Sequence, residues 1–293
     1  MPVNVAELRE ICQKPVEGLN DLTGRLYGSR VSIHITRLFL GLGLGANTAT
    51  AGMFAVGLAG AGLLLLPGWW RVVGFACLVL HYLLDCVDGE LARYHRTTSL
   101  EAAYVDYLAH GVVRSSAWLA LGTTLAAERG SPWPFRAAVV ATIGGLLLKT
   151  AEDLPALLFA KKLSAGQRPE PRAAAPPPPP PWQPGLRATV RSLLINWDLA
   201  MLYFAVAATL DAAGWVGRGG AELSLLCWYA IALPLQLLDT VRSDLVGGRL
   251  AARLTTLRAS LAEPPAAPRR ESTVTRGERI VAGDDRPRDL RAR

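Results

Sequence analysis

Six long apolar stretches constrain this chain more than any other feature. They run over about residues 44–66, 70–93, 100–126, 136–160, 193–214 and 221–246. Each can supply the roughly 20 residues of helix that a hydrocarbon core requires. The expected fold class is therefore all-α: a polytopic membrane protein with six transmembrane helices, preceded by an interfacial amphipathic helix. Hydrophobic residues make up 51% of the chain and charged residues only 19%, a lower charge density than soluble domains carry. Gly and Ala recur within the runs, which suits helices that approach closely in lipid.

Three parts follow from this pattern. Residues 1–43 form a cytoplasmic or interfacial segment. Within it, Leu26 to Leu40 mixes Arg30, His34 and Arg37 with Val31, Ile33, Ile35 and Leu38, as a basic helix lying on a membrane face does. Residues 44–246 form the six-helix domain, interrupted at 163–190 by a linker. Six consecutive prolines, Pro176 to Pro181, make that linker a polyproline II spacer. Residues 247–293, rich in Arg, Pro and Ala, read as a disordered basic tail. The first apolar run follows a polar segment of about 40 residues, so no cleavable signal peptide is expected.

Lys and Arg concentrate in alternate connections, including Arg25, Arg30, Arg37, Arg93, Arg96, Lys161, Lys162, Arg187, Arg191 and the tail. By the positive-inside rule both termini are cytoplasmic, and the protein sits in the cell membrane as a multi-pass chain. The net charge of +7 follows from that topology and from attraction to anionic lipids; nucleic-acid binding is not needed to explain it. Cys12, Cys77, Cys86 and Cys227 show neither a disulfide nor a zinc spacing.

Against this background the second and third runs carry Asp85, Asp88, Arg93, Asp106 and His110. Ionisable groups in a membrane span point to function. Asp85, Asp88 and Ala92 share one helical face, as do Asp106, His110 and Arg114, because residues three and four apart are neighbours. An antiparallel hairpin brings the two faces together at similar depth. Carboxylate oxygens favour Mg²⁺, Mn²⁺ or Ca²⁺ over softer metals, and such sites commonly hold phosphate groups through the metal. Gly89 leaves room for a ligand's approach, and Arg93 offers a fork of donors to phosphate.

The run Asp85-x2-Asp88-Gly89-x2-Ala92-Arg93-x12-Asp106-x3-His110 resembles the signature of the CDP-alcohol phosphatidyltransferase family, D-x2-D-G-x2-A-R-x8-G-x3-D-x3-D. The likeness extends less specifically over residues 28–246. It includes an amphipathic N-terminal segment and a first span opening with Asn47-x2-Thr50. Two positions depart from the signature. Ala102 replaces the second glycine, and His110 replaces the last aspartate, a position the family assigns to the base with a share in metal binding. A neutral imidazole can do either job.

The resemblance implies transfer of a phosphatidyl or related phospho-alcohol group from a CDP-alcohol to an acceptor alcohol, with release of CMP, in phospholipid biosynthesis. It implies Mg²⁺ or Mn²⁺ on Asp85, Asp88 and Asp106, and a nucleotide pocket at Gly89, Ala92, Arg93, Asn47 and Thr50. His110 is then the catalytic base. The implied partners are a CDP-alcohol lipid donor, an acceptor alcohol or alcohol phosphate, membrane lipids and a second copy in a homodimer. Arg114 and Lys149 fall at mid-depth and are candidate acceptor-binding cations for a phosphorylated polyol; pairing of Lys149 with Glu152 or Asp153 is the competing reading. Asn196, Asp198, Asp239 and Arg242 fall where helix capping and snorkelling suffice. A catalytically inactive family member acting as a binding or scaffold protein, and a small transporter, are the other readings of the chain.

Overall fold

The computed structural model describes residues 4–19, 23–97, 99–164, 186–217, 219–250 and 253–254. The proline run and most of the C-terminal tail lie outside the described residues. Everything regular among the described residues is helical.

The chain opens with α1 (Val5–Leu8), capped by the Asn4 side chain, which accepts from the Ala6 amide at 3.1 Å. Short π and 3-10 turns over Arg9–Gln13, Lys14–Leu19 and Gly24–Gly28 lead into α2 (Ser29–Gly41). Then come α3 (Ala46–Leu63), α4 (Trp69–His95), α5 (Leu100–Arg129), α6 (Trp133–Ser164), α7 (Leu186–Ile195), α8 (Trp197–Ala212) and α9 (Gly220–Leu245).

Each expected span coincides with a helix. By length and apolarity, α4 and α9 can cross a membrane. The other four places are filled by α3, α5, α6 and α8. Of these, α8 has only 16 residues, short of the roughly 20 that span a bilayer core, and α5 and α6 are interrupted by charged residues. The amphipathic segment is also a helix, α2, with Arg30, His34 and Arg37 exposed. Its buried face was not expected to be polar: Ser32 and Thr36 are buried beside Ile33. Helix α7 is a second departure. It begins inside the stretch read as linker, and its carbonyls at Leu193 and Leu194 accept from Tyr203 Oη and Trp228 Nε1 at 2.9 and 3.1 Å.

Small residues set the helix spacing. A Cβ at Gly60 would lie 2.8 Å from the Gly74 carbonyl, and one at Gly74 would lie 2.9 Å from the Gly60 carbonyl, so α3 and α4 cross backbone to backbone. Gly57, one turn earlier, leaves the space filled by His81 and Val113. Gly122 and Ala138 play the same part between α5 and α6, and Gly144 and Pro234 between α6 and α9. We expect Gly60→Ala to destabilise the protein by about 1–3 kcal/mol through overpacking. Gly62→Ala, where nothing lies within 4 Å, should be neutral or stabilising. Thermal unfolding in detergent checks the pair; equal melting temperatures would contradict the close crossing.

The interior is closed by rings from four helices. Phe75 of α4 stacks on Phe204 of α8 at 5.3 Å, and Trp118 of α5 meets Phe204 and Tyr229 of α9, each at 5.4 Å. This aromatic core lies below the signature residues and holds the helices that carry them.

Candidate active site

The hairpin between α4 and α5 is tightly specified. Helix α4 ends at Arg96, which adopts φ +55°, the one non-glycine residue with a left-handed backbone among the described residues. The Thr97 amide returns to the Ala92 carbonyl at 3.0 Å, as in the helix-stop motifs that satisfy terminal carbonyls. Two residues later Ser99 caps α5, its hydroxyl accepting from the Ala102 amide at 3.1 Å. The short connection sends α5 back antiparallel to α4, while α3 packs against both.

That turn brings Asp85, Asp106 and His110 together. His110 Nε2 lies 3.0 Å from Asp85 Oδ1 and 3.4 Å from Asp106 Oδ1, and one ligand atom from each residue fits within 4.8 Å of the others. Asp106 Oδ1 is buried with no hydrogen-bond partner among the described residues, as is His110 Nδ1. Two carboxylates and an imidazole, one oxygen without a hydrogen bond, suit a divalent cation with mixed oxygen and nitrogen ligation. His81, one turn deeper on α4, is buried, meets the Met53 carbonyl at 3.0 Å through Nδ1 and sets its ring edge-on to His110 at 5.1 Å.

The other signature residues occupy a neighbouring region. Asp88 stands outside the three-residue cluster and accepts from Thr50 Oγ1 at 2.8 Å. Thr50 thereby ties the start of α3 to the signature helix, and Asn47, one turn earlier, is exposed. Gly89 was expected to make room for a ligand. Its observed neighbour is the Arg93 guanidinium, 3.1 Å from where a Cβ would sit. Arg93 Nε donates to the Cys12 carbonyl at 2.6 Å. Ala92 is half-buried beside it.

Glu90, which the sequence reading passed over, is the anchor of this end. It is only 2% exposed and accepts from Gln13 Nε2 at 2.7 Å, Ser32 Oγ at 2.6 Å and Thr36 Oγ1 at 2.5 Å. The N-terminal segment is thus clamped to the signature helix one residue past Gly89. Burial, reinforced by the Glu90 carboxylate, pushes the Cys12 thiol above its ordinary value, with Arg93 opposing. The available signal was Glu90's position on α4, opposite a segment with Ser32 and Thr36 four apart.

A cavity of about 670 Å³ opens beside the cluster. Asp85, Asp106 and His110 line it with residues of α6, α8 and α9. Arg114 and Lys149 both reach its wall, and each has a carboxylate beside it. Arg114 lies 3.9 Å from Asp198 and over the Trp197 ring. Lys149 lies 3.1 Å from Asp153 and over the Tyr107 ring. Asp198 therefore does more than sit at a helix end, while Asn196 caps α8 by accepting from the Asp198 and Leu199 amides.

A second ionic network lies elsewhere in the helices. Arg71 reaches Glu128 through both terminal nitrogens, at 3.1 and 3.2 Å, and Glu222 at 3.1 Å. Asp211 beside them accepts from the Ala221 and Glu222 amides. The network joins α4, α5, α8 and α9. An acid in the otherwise apolar opening of α9 was the sequence signal for it.

A comparison with curated proteins finds no match. Residues 45–162, covering α3, α4, α5 and most of α6 and therefore the whole cluster, match the family model described as CDP-alcohol phosphatidyltransferase. The segment that builds this site is thus similar to the CDP-alcohol phosphatidyltransferase family, with histidine at the last position of the signature.

Proposed function

We propose that the protein is a multi-pass membrane enzyme that transfers a phospho-alcohol group from a CDP-alcohol to the hydroxyl of an acceptor. The observation that carries this reading is the meeting of Asp85, Asp106 and His110 at the wall of a cavity large enough for a small alcohol. The acceptor oxygen attacks the phosphorus that bears the donor's alcohol, the bond to the bridging pyrophosphate oxygen breaks, and CMP leaves with that oxygen. The acceptor's proton passes to His110.

Asp85 and Asp106, with Asp88 nearby, are the groups to hold Mg²⁺ or Mn²⁺. Such an ion, when bound, offsets the charge that develops on the pyrophosphate. The chain's own residues do the positioning. Asp85 orients the imidazole through its 3.0 Å contact. Thr50 fixes Asp88, and Arg93 stands where it can meet phosphate oxygens beside Gly89 and Ala92. Six spans with both termini and the site on the cytoplasmic side complete the proposal, on the strength of the Lys and Arg distribution.

Purified full-length protein with CDP-diacylglycerol, Mg²⁺ or Mn²⁺ and a panel of alcohols should release CMP. Nucleotide binding without CMP release across the panel would overturn the transferase reading and leave a binding protein.

A further inference from the structure

The Arg93 guanidinium is divided between two neighbours. Its Nε donates to the Cys12 carbonyl at 2.6 Å, while its terminal nitrogens lie 3.1 and 3.5 Å from where a Gly89 Cβ would sit. Among the described residues neither terminal nitrogen makes a hydrogen bond or an ion pair, and neither is sealed inside the protein. Arg71 and Arg114, by contrast, each face a carboxylate, at 3.1 and 3.9 Å. The Glu90 carboxylate, three residues before Arg93, is already engaged by Gln13, Ser32 and Thr36. A half-buried guanidinium with two open amino groups and no carboxylate beside it is arranged to receive an oxyanion.

What aims that guanidinium belongs to the N-terminal segment, and the sequence explains why the Cys12 oxygen is available. A π turn over Arg9–Gln13 gives way to 3-10 turns over Lys14–Leu19. In the 3-10 pattern a carbonyl is answered by the amide three residues on. For Cys12 that residue is Pro15, which has no N–H to give. Two anchors then hold the oxygen in place. The Cys12 side chain is fully buried in a cluster with Leu8 and Ile33. Gln13, the next residue, uses its side-chain amide as a double donor, to the Ser29 carbonyl and to Glu90 Oε1, each at 2.7 Å. Ser29 opens α2 and Glu90 lies on α4, so Gln13 ties the Cys12 backbone to the helix that carries Arg93.

We propose that Gln13 is a positioning residue for the nucleotide site: by fixing the Cys12 carbonyl it sets the rotation of Arg93, so that both terminal amino groups stand over Gly89 for the phosphate oxygens of the CDP-alcohol. The proposal rests on the transfer reading above for the identity of the oxyanion, and on these contacts for the geometry. The guanidinium is planar and its donors form a rigid fork, so a bond at Nε fixes the direction of the other two nitrogens. Residues 4–19 thus complete the site from outside the segment that carries the signature.

The test uses the full-length protein in nanodiscs with Mg²⁺. CDP affinity is measured by calorimetry, and the KM for CDP-diacylglycerol, the acceptor KM and kcat are measured by CMP release. Gln13→Leu should weaken CDP binding and raise the CDP-diacylglycerol KM about tenfold, the worth of one good hydrogen bond, with kcat and the acceptor KM within about twofold. Arg93→Ala should weaken CDP binding at least as much, and adding Gln13→Leu to it should cost nothing further, because the glutamine acts only through the arginine. A merely structural glutamine would lower kcat through loss of folded protein, and its effect would add to that of Arg93→Ala. Unchanged CDP affinity in Gln13→Leu, or additive losses in the double variant, overturns the proposal. Should Gln13→Leu fail to fold, Gln13→Asn, which keeps the amide but withdraws it by one methylene, is read in the same way. CDP binding without CMP release sinks the transfer reading alone, and calorimetry still decides the role of Gln13. A wild-type protein that binds no CDP overturns both.

Discussion

His110→Ala is expected to lower the rate of CMP release by about 10²- to 10⁴-fold, the usual worth of a positioned general base, while CDP-alcohol binding stays within about threefold. The expectation follows from geometry. His110 Nε2 is 3.0 Å from Asp85 and 3.4 Å from Asp106, and the cavity proposed for the acceptor is lined by the same imidazole. His110→Asp restores the residue of the family signature at this position and should keep part of the activity. The same contacts leave a second role open to experiment, because a group this close to two carboxylates also belongs to a candidate cation site. Mn²⁺ titration followed by electron paramagnetic resonance separates them. If the alanine variant loses Mn²⁺ binding in step with turnover, His110 is a ligand and the base assignment is wrong.

Glu90→Ala carries the second large expected effect, on stability. The substitution strands Gln13, Ser32 and Thr36, whose donors now converge on one buried carboxylate. Leaving buried donors unsatisfied costs about 1–3 kcal/mol for each group that water cannot reach. Removing one side of a buried charged network typically costs about 3–5 kcal/mol in all. We expect a loss of that total size, concentrated in the docking of residues 4–19 and 23–41 on α4. Cys12 reports it directly. Its side chain is fully buried and its thiol is held above its ordinary value by burial, so alkylation in the native protein should be slow. The Glu90→Ala protein should be modified at least about tenfold faster. Equal alkylation rates would show that the N-terminal segment docks without Glu90. Because Arg93 bonds the Cys12 carbonyl, the variant should also raise the CDP-alcohol KM through Arg93.

The helices and the central motif were legible in the chain because both depend on short-range periodicity. Runs of apolar residues fall on every long helix from α3 to α9, and the spacing of Asp106 and His110 by four places them on one face whatever surrounds them. The hairpin was legible too, since only a short polar stretch separates the two runs. The further partners of the motif residues were not. Asp88 lies on the face of Asp85 by spacing; the Thr50 hydroxyl of α3 donates to it, while Asp85, Asp106 and His110 form the close cluster. That the Arg93 guanidinium lies against Gly89 was likewise not visible in the spacing.

The same division runs through the charged groups. Sequence alone determined that an apolar helical chain carries a family signature with histidine at its end, because composition, periodicity and spacing are properties of neighbours along the chain. Only the tertiary structure decided which partner each buried polar group has. Glu90 answers residues 54 to 77 positions away, Arg71 answers Glu128 and Glu222, and Arg114 answers Asp198. In a low-dielectric interior the partner determines whether a charge is scaffold or site. Partners brought together by helix packing leave no mark in local spacing. His110 was therefore visible as a substitution in a motif, and became a chemical group when α5 folded back against Asp85.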